Sequence, residues 1–269
     1  MSPPTTLMRY ARCQLLTGVF GADGKTPDRE LGMAYQPVVD GTVVPGELIE
    51  MVAKSSAASV AVMVGSNLEE WKLFSAMDPS AQKLDQAGLI ARITRRLTAD
   101  FASSVIATYE RARASAGASI SPPELFSAIE TDRVFRMPGV RLAEINGRSE
   151  QRTYNYLFTW RSPAMRGALG SCHALELGFV SGTNHLAGMR RFAGEGLAAE
   201  KLASEMQDAW LAFARNGDPS CESLGAWPGY TVARRATMLF GENSGVADAP
   251  FEQERRAWDG VPSGALGAL

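Results

Sequence analysis

The sequence predicts an α/β fold, a central and mostly parallel sheet flanked by helices. Three observations carry this expectation. SVAVMVG (Ser59–Gly65) is a continuous apolar run that ends in glycine, as a strand covered on both faces would. RTYNYLFTW (Arg152–Trp160) is dense in aromatics, with Tyr154, Tyr156, Phe158 and Trp160 on one face of an extended chain. Amphipathic helical patterns lie between and after these two runs, and strand–helix alternation argues for one α/β unit.

In chain order, residues 1–45 read as irregular. DGKTPD and PVVDGTVVPGE are rich in turn residues, with Asp40-Gly41 as a tight turn. ELIEMVAKSSA has a short amphipathic pattern, and a strand follows over 59–64. Asp85 is placed to cap a helix with Leu89, Ile90, Ile93 and Leu97 on its apolar face. A second helix gathers Phe101, Val105, Ile106 and Tyr109. Ser121 and Pro122 mark a third helix start. Pro138 to Asn146 reads as a short helix ended by Gly147. The aromatic strand comes next, then a glycine-rich loop, GALGSCHALELGFVSG (Gly167–Gly182). AAEKLASEMQDAWLAFARNGDP follows as a long helix whose buried side is Leu202, Met206, Ala209, Trp210 and Phe213. Asn216-Gly217-Asp218-Pro219 stops it, and TMLFG is a last short strand.

Composition narrows the function. The chain has 269 residues, 45% hydrophobic and 21% charged, which are ordinary globular values. A net charge of −2 favours neither nucleic acid nor an anionic membrane. Arg92, Arg95 and Arg96 read as a solvated helix face. Three widely spaced cysteines form neither a disulfide framework nor a CxxC site, which suits a reducing, cytoplasmic compartment. With two histidines in the chain, a multi-histidine metal centre is not expected, nor is any cofactor. No apolar run approaches about 18 residues and no signal peptide is read at the N-terminus, so no membrane association is expected.

The chemistry concentrates at two strand ends. Glu69 and Glu70 follow the strand at 59–64, and His173 lies in the loop after the aromatic strand. Open α/β sheets place their sites at the carboxyl ends of strands. An acid after one strand and a histidine after a later one is the second half of the Ser…acid…His order of α/β-hydrolases. The acid would hold the imidazole in its productive tautomer, and the histidine would move the nucleophile's proton. His185 reads as a surface residue or a neighbour of the site, Ser171 as too close in sequence to His173 to serve as nucleophile, and Cys172 as a structural thiol.

Several blocks together resemble the C-terminal part of type B carboxylesterases, the cholinesterase and para-nitrobenzyl esterase group. QPVVDGTVVPGE is similar to that family's P-V-x-D-G segment, and VMVGSNLEEWKLF to its acid loop, where the spacing from Gly65 places the triad glutamate on Glu70 rather than Glu69. TDRVFRMPGVRLAE and TYNYLFTWRSP resemble the helix and strand ahead of the histidine loop. LGSCHALELGFVSG resembles LGAxHGxELxFVFG, which makes His173 the triad histidine. MQDAWLAFARNGDP, WPGY and TMLF resemble the closing helix and strand. The resemblance spans about residues 35–260 and implies the C-terminal part of an α/β-hydrolase fold, read as a single partial domain over 1–269. It implies a carboxylic ester hydrolase acting on small-molecule esters through a Ser-Glu-His triad.

The sequence departs from the pattern at Ala174, where the family has glycine after the histidine, at Ser181 and at Trp71. A larger departure is that no G-x-S-x-G elbow and no glycine-rich oxyanion loop occur in the 269 residues. The expectation is therefore a fragment that supplies Glu70 and His173 and has little activity alone, partnered by an N-terminal esterase segment or by its own copies. The alternative is a non-catalytic remnant of the fold used as an interaction module, whose unpaired strand edges would favour association.

Overall fold

The computed structural model describes residues 39–54, 60–147 and 152–267. The irregular stretch before residue 39, with DGKTPD and Cys13, lies outside the described residues, as does Ser59 at the expected strand start. Four strands form one sheet in the order β1 (Val62–Asn67), β2 (Thr153–Phe158), β3 (Ala236–Phe240) and β4 (Gly245–Asp248). β1 and β3 each run parallel to β2, and β4 closes antiparallel on β3. The first strand thus sits later than the expected 59–64 and continues through Gly65 to Asn67. Gly65 is required there, because a Cβ at this position would fall 2.4 Å from the ring and carbonyl of Tyr156 opposite it. β4 was not foreseen. Its four residues, GVAD, are too few to display a period.

The helices, in chain order, are α1 (Leu48–Ala53), α2 (Trp71–Met77), α3 (Gln86–Thr94), α4 (Ala99–Ser115), α5 (Pro122–Thr131), α6 (Met137–Asn146), α7 (Leu177–Val180), α8 (Ala187–Ala193), α9 (Leu197–Asn216) and α10 (Glu252–Arg256). No helix among the described residues is long and apolar enough to cross a membrane. Asp85 caps α3 as expected, its Oδ1 accepting the Gly88 N–H at 2.7 Å. Ser121 stands at the N-cap of α5 without making a side-chain cap bond, so Pro122 with its preset φ marks that start. Gly217 ends α9 in the left-handed conformation (φ 66°).

Two apolar clusters organise the molecule. In the first, the aromatic face of β2 meets α9: Tyr154 lies edge-on to Phe213, and Tyr156 edge-on to Trp210. Leu202, Met206 and Ala209 of α9 are fully buried, while Trp210 and Phe213 are half-buried at its margin. On the opposite side of β1, α6 packs closely at Gly139, where a Cβ would stand 3.3 Å from Val64. The second cluster joins α3, α4 and α5 with Trp258. Within it Leu89, Ile93 and Leu97 are buried, but Ile90 is exposed, so the buried stripe of α3 is narrower than expected.

Between α5 and α6 the helix widens into one π turn, Asp132–Arg136. Buried ion pairs hold it: Glu130 with Arg133 at 2.8 Å, and Asp132 with Arg136 through two guanidinium contacts. Asp132 also accepts the Tyr109 hydroxyl, and Tyr109 in turn accepts the Trp258 indole N–H at 2.8 Å. Interruptions of this kind re-aim side chains and occur often at functional sites.

Candidate active site

β1 and β2 run parallel, with Asn67 opposite Phe158 at their carboxyl ends. The acid loop and the histidine loop therefore leave the sheet side by side. Backbone bonds join them: the Glu69 N–H donates to Ser171 O at 2.9 Å, and the His173 N–H to Glu70 O at 3.3 Å. The Ser171 hydroxyl donates to Phe158 O at 2.6 Å, tying the histidine loop back to its strand.

This brings the two expected residues together. His173 Nδ1 lies 2.8 Å from Glu70 Oε2. The other carboxylate oxygen of Glu70 accepts the Asn67 N–H at 2.7 Å, which fixes the group's plane. Glu70 is buried, with a side chain 7% exposed, whereas that of His173 is 42% exposed. A buried carboxylate on Nδ1 holds the proton at that nitrogen when the ring is neutral, and leaves the Nε2 lone pair free to accept another. The hydrogen bond to Glu70 raises the His173 pKa above its ordinary 6.5, burial opposes the rise, and the charges of Glu70 and Glu176 add to it.

The imidazole stands between two phenylalanines, with ring centroids 5.3 Å from Phe74 and 5.1 Å from Phe135. Phe135 comes from the π turn and Phe74 from α2, one turn beyond Glu70. Neither was singled out in the sequence, because a lone phenylalanine in a helical pattern reads as core.

Glu69 and Glu70 divide the work. Glu69 Oε2 accepts the Ser171 N–H at 2.9 Å, and its carboxylate pairs with Lys72 at 2.8 Å and Arg161 at 3.0 Å. Burial pushes its pKa up, but Lys72, the Ser171 N–H and Arg161 outweigh that and hold it below the usual carboxylate value. Gly170 makes the approach possible. Its φ is +55°, and a Cβ there would lie 2.0 Å from Glu69 Oε2. Glu69 thus tethers the loop while Glu70 meets the ring.

Beneath the pair, Asn67 Nδ2 donates to Cys172 O at 2.7 Å and to Glu176 Oε2. Desolvation raises the Glu176 carboxyl, and the Asn67 bond partly offsets it. Cys172 is fully buried and its thiol is pushed up to about 11 by burial, in keeping with an inert packing role. Ser171 is buried with its hydroxyl committed to Phe158. His185 lies on the surface.

The departures from the family pattern differ in consequence. Trp71 opens α2, its N–H donates to Thr131 Oγ1 at 3.0 Å and its ring packs on Phe74, so a helical residue fits where glycine was expected. Ala174, in contrast, sits at φ 64°, a left-handed conformation that glycine adopts freely and alanine does not. Ser181 caps the C-terminus of α7 on the surface.

This pairing of acid and histidine loops at the ends of parallel strands has the architecture of part of an α/β-hydrolase. The chain belongs to the carboxylesterase family, whose model matches residues 6–258. It is 28% identical over 221 residues to phenmedipham hydrolase of Pseudarthrobacter oxydans, covering 79% of this chain and 41% of that protein. It is 28% identical over 228 residues to para-nitrobenzyl esterase of Bacillus subtilis (strain 168), covering 82% of this chain and 42% of that one. Among solved structures, the Geobacillus stearothermophilus carboxylesterase EST55 superposes with a TM-score of 0.76 at 33% identity, over 96% of this chain and 49% of the esterase. The chain therefore spans less than half the length of these relatives.

Proposed function

We propose that this chain supplies the acid and the base of a carboxylic ester hydrolase, with Glu70 orienting His173 as general base. The observation that carries this reading is the 2.8 Å contact between a buried carboxylate and Nδ1 of a half-exposed imidazole. In the proposed reaction His173 Nε2 takes the proton of a serine hydroxyl as its oxygen attacks the ester carbonyl. The imidazolium, steadied by Glu70, then gives that proton to the departing alcohol, leaving an acyl-serine. Water, deprotonated by the same nitrogen, releases the acid and restores the serine.

The serine comes from sequence outside these 269 residues, which hold no G-x-S-x-G elbow. Among the described residues β1 is paired on one side only, so its free edge can accept a further strand. The test is hydrolysis of para-nitrophenyl butyrate by the chain alone, by the chain co-expressed with a G-x-S-x-G fragment of the family, and by the same pair carrying His173→Ala. The expected result is activity only in the intact pair, with a drop of about 10²–10⁴-fold on losing the base. Equal rates with and without His173, or no gain on co-expression, would overturn the reading.

A further inference from the structure

Arg95 and Arg96 are exposed, as expected of a solvated face, and with Arg92 they line an open cleft of about 770 Å³ whose other wall is aromatic: Trp71, Phe74 and Phe126. The charges in this cleft do not cancel. Arg92 pairs with Asp78 at 2.9 Å, donates to Ser80 Oγ at 2.6 Å and lies over the Phe126 ring at 5.1 Å. Glu130, at the cleft wall, is occupied by Arg133 through two contacts. Among the described residues, Arg95 and Arg96 are exposed and have no anionic partner. The cleft therefore joins an aromatic wall to a polar one, with two uncompensated cations at its edge.

Its position links it to the reacting centre. Phe74 lines the cleft and also packs on the His173 ring at 5.3 Å. Phe74 thus stands between the cleft and the imidazole, and Trp71 packs on it at 4.9 Å within the cleft. We propose that the cleft is a subsite for an organic carboxylate, the far end of an ester acid or alcohol whose reacting carbonyl lies at His173. The aromatic walls take the hydrocarbon spacer, and Arg95 and Arg96 take the carboxylate. The position of the ester within this picture rests on the hydrolase reading. The preference of the cleft for an anion does not.

The experiment separates the two. Calorimetric titration of the full chain compares 4-phenylbutyrate with 4-phenylbutyramide, its neutral counterpart, at low salt. The carboxylate binds about fivefold to tenfold more tightly, the gain expected from two solvent-screened ion pairs. Arg95→Gln/Arg96→Gln brings the two affinities within about twofold of each other, a loss of the same pairs. Both positions are exposed, so the fold is retained. Arg111→Gln, an exposed charge on α4 outside the cleft, keeps the preference and shows that net charge is not its source. Equal affinities in the parent chain, or a preference that survives the double substitution, would overturn the subsite. Because binding is read without turnover, a chain that shows the preference but gains no hydrolysis when paired with the G-x-S-x-G fragment sinks the hydrolase reading and leaves the cleft assignment standing. Active hydrolysis without the preference does the reverse.

Discussion

Replacing Glu70 by glutamine tests the acid–base pair without requiring hydrolysis. Glutamine keeps the size and one carbonyl oxygen for the Asn67 N–H, but removes the charge facing His173 Nδ1. Two unit charges with centres about 4 Å apart interact by about 1 kcal/mol in water and about 4 kcal/mol near a protein surface. The His173 side chain is 42% exposed, so solvent screening places the loss near the lower figure, about 1–2 kcal/mol. The chain has two histidines, so an NMR titration of the imidazole carbons resolves each, with the surface His185 as reference in the same spectrum. In the parent protein His173 titrates above 6.5, because its hydrogen bond to Glu70 outweighs burial. In Glu70→Gln its midpoint falls. The sign also sets the stability profile. A histidine whose folded pKa is raised contributes stability that is complete below pH 6.5 and is lost as pH rises through the raised value. The parent-minus-variant difference in urea midpoint is therefore larger at pH 5.5 than at pH 8.5. An unmoved His173 midpoint would refute the claim that Glu70 controls the ring.

Two further outcomes follow from strain and from a buried acid elsewhere. Ala174→Gly relieves a left-handed alanine (φ 64°) and raises stability by about 1 kcal/mol in urea unfolding. Glu254 is raised to about 7, by burial first and then by Asp132, against the pull of Arg136. Its folded pKa lies above the ordinary 4.5, so ionisation disfavours the folded state and stability falls as pH rises from about 4.5 through about 7. Glu254→Gln flattens that part of the curve, gaining about 1–3 kcal/mol over the parent at pH 8 and little at pH 5, as urea midpoints at the two values would show.

Much of this arrangement was legible in the sequence because it is local. The aromatic alternation of β2 and the stripe and glycine stop of α9 are periodic signals, and both elements formed within a few residues of their expected bounds. Glu70 and His173 were legible through the spacing of two loops and their resemblance to a family pattern. What was not legible is long-range. The boundary of β1 moved toward Asn67 because pairing with Phe158, not apolar content, decides where a strand ends. Arg92 of α3 and the two arginines just past its end became a cleft wall only when α2 and α5 delivered Trp71, Phe74 and Phe126 opposite them. Phe135 owes its place beside His173 to a π turn secured by buried ion pairs, and no short window displays that.

The Glu69-Glu70 doublet shows how two equal neighbours come to different ends. At the sequence level both were strand-end carboxylates, separable only by counting from Gly65. In the fold they are adjacent residues turned to opposite duties. Glu69 faces cations and the Ser171 N–H, contacts that keep a carboxylate ionised and a loop in place. Glu70 is buried, facing one backbone N–H and one imidazole. An acid surrounded by lysine and arginine could not lend its charge to a histidine, because those cations already compensate it. An acid with no cation except the ring it orients can. The tether also explains Gly170. Only without a Cβ can the histidine loop come close enough to Glu69 to be held, and only a held loop keeps His173 Nδ1 at hydrogen-bond distance from Glu70. The glycine, the first glutamate and the second glutamate therefore act together to hold the imidazole in one place.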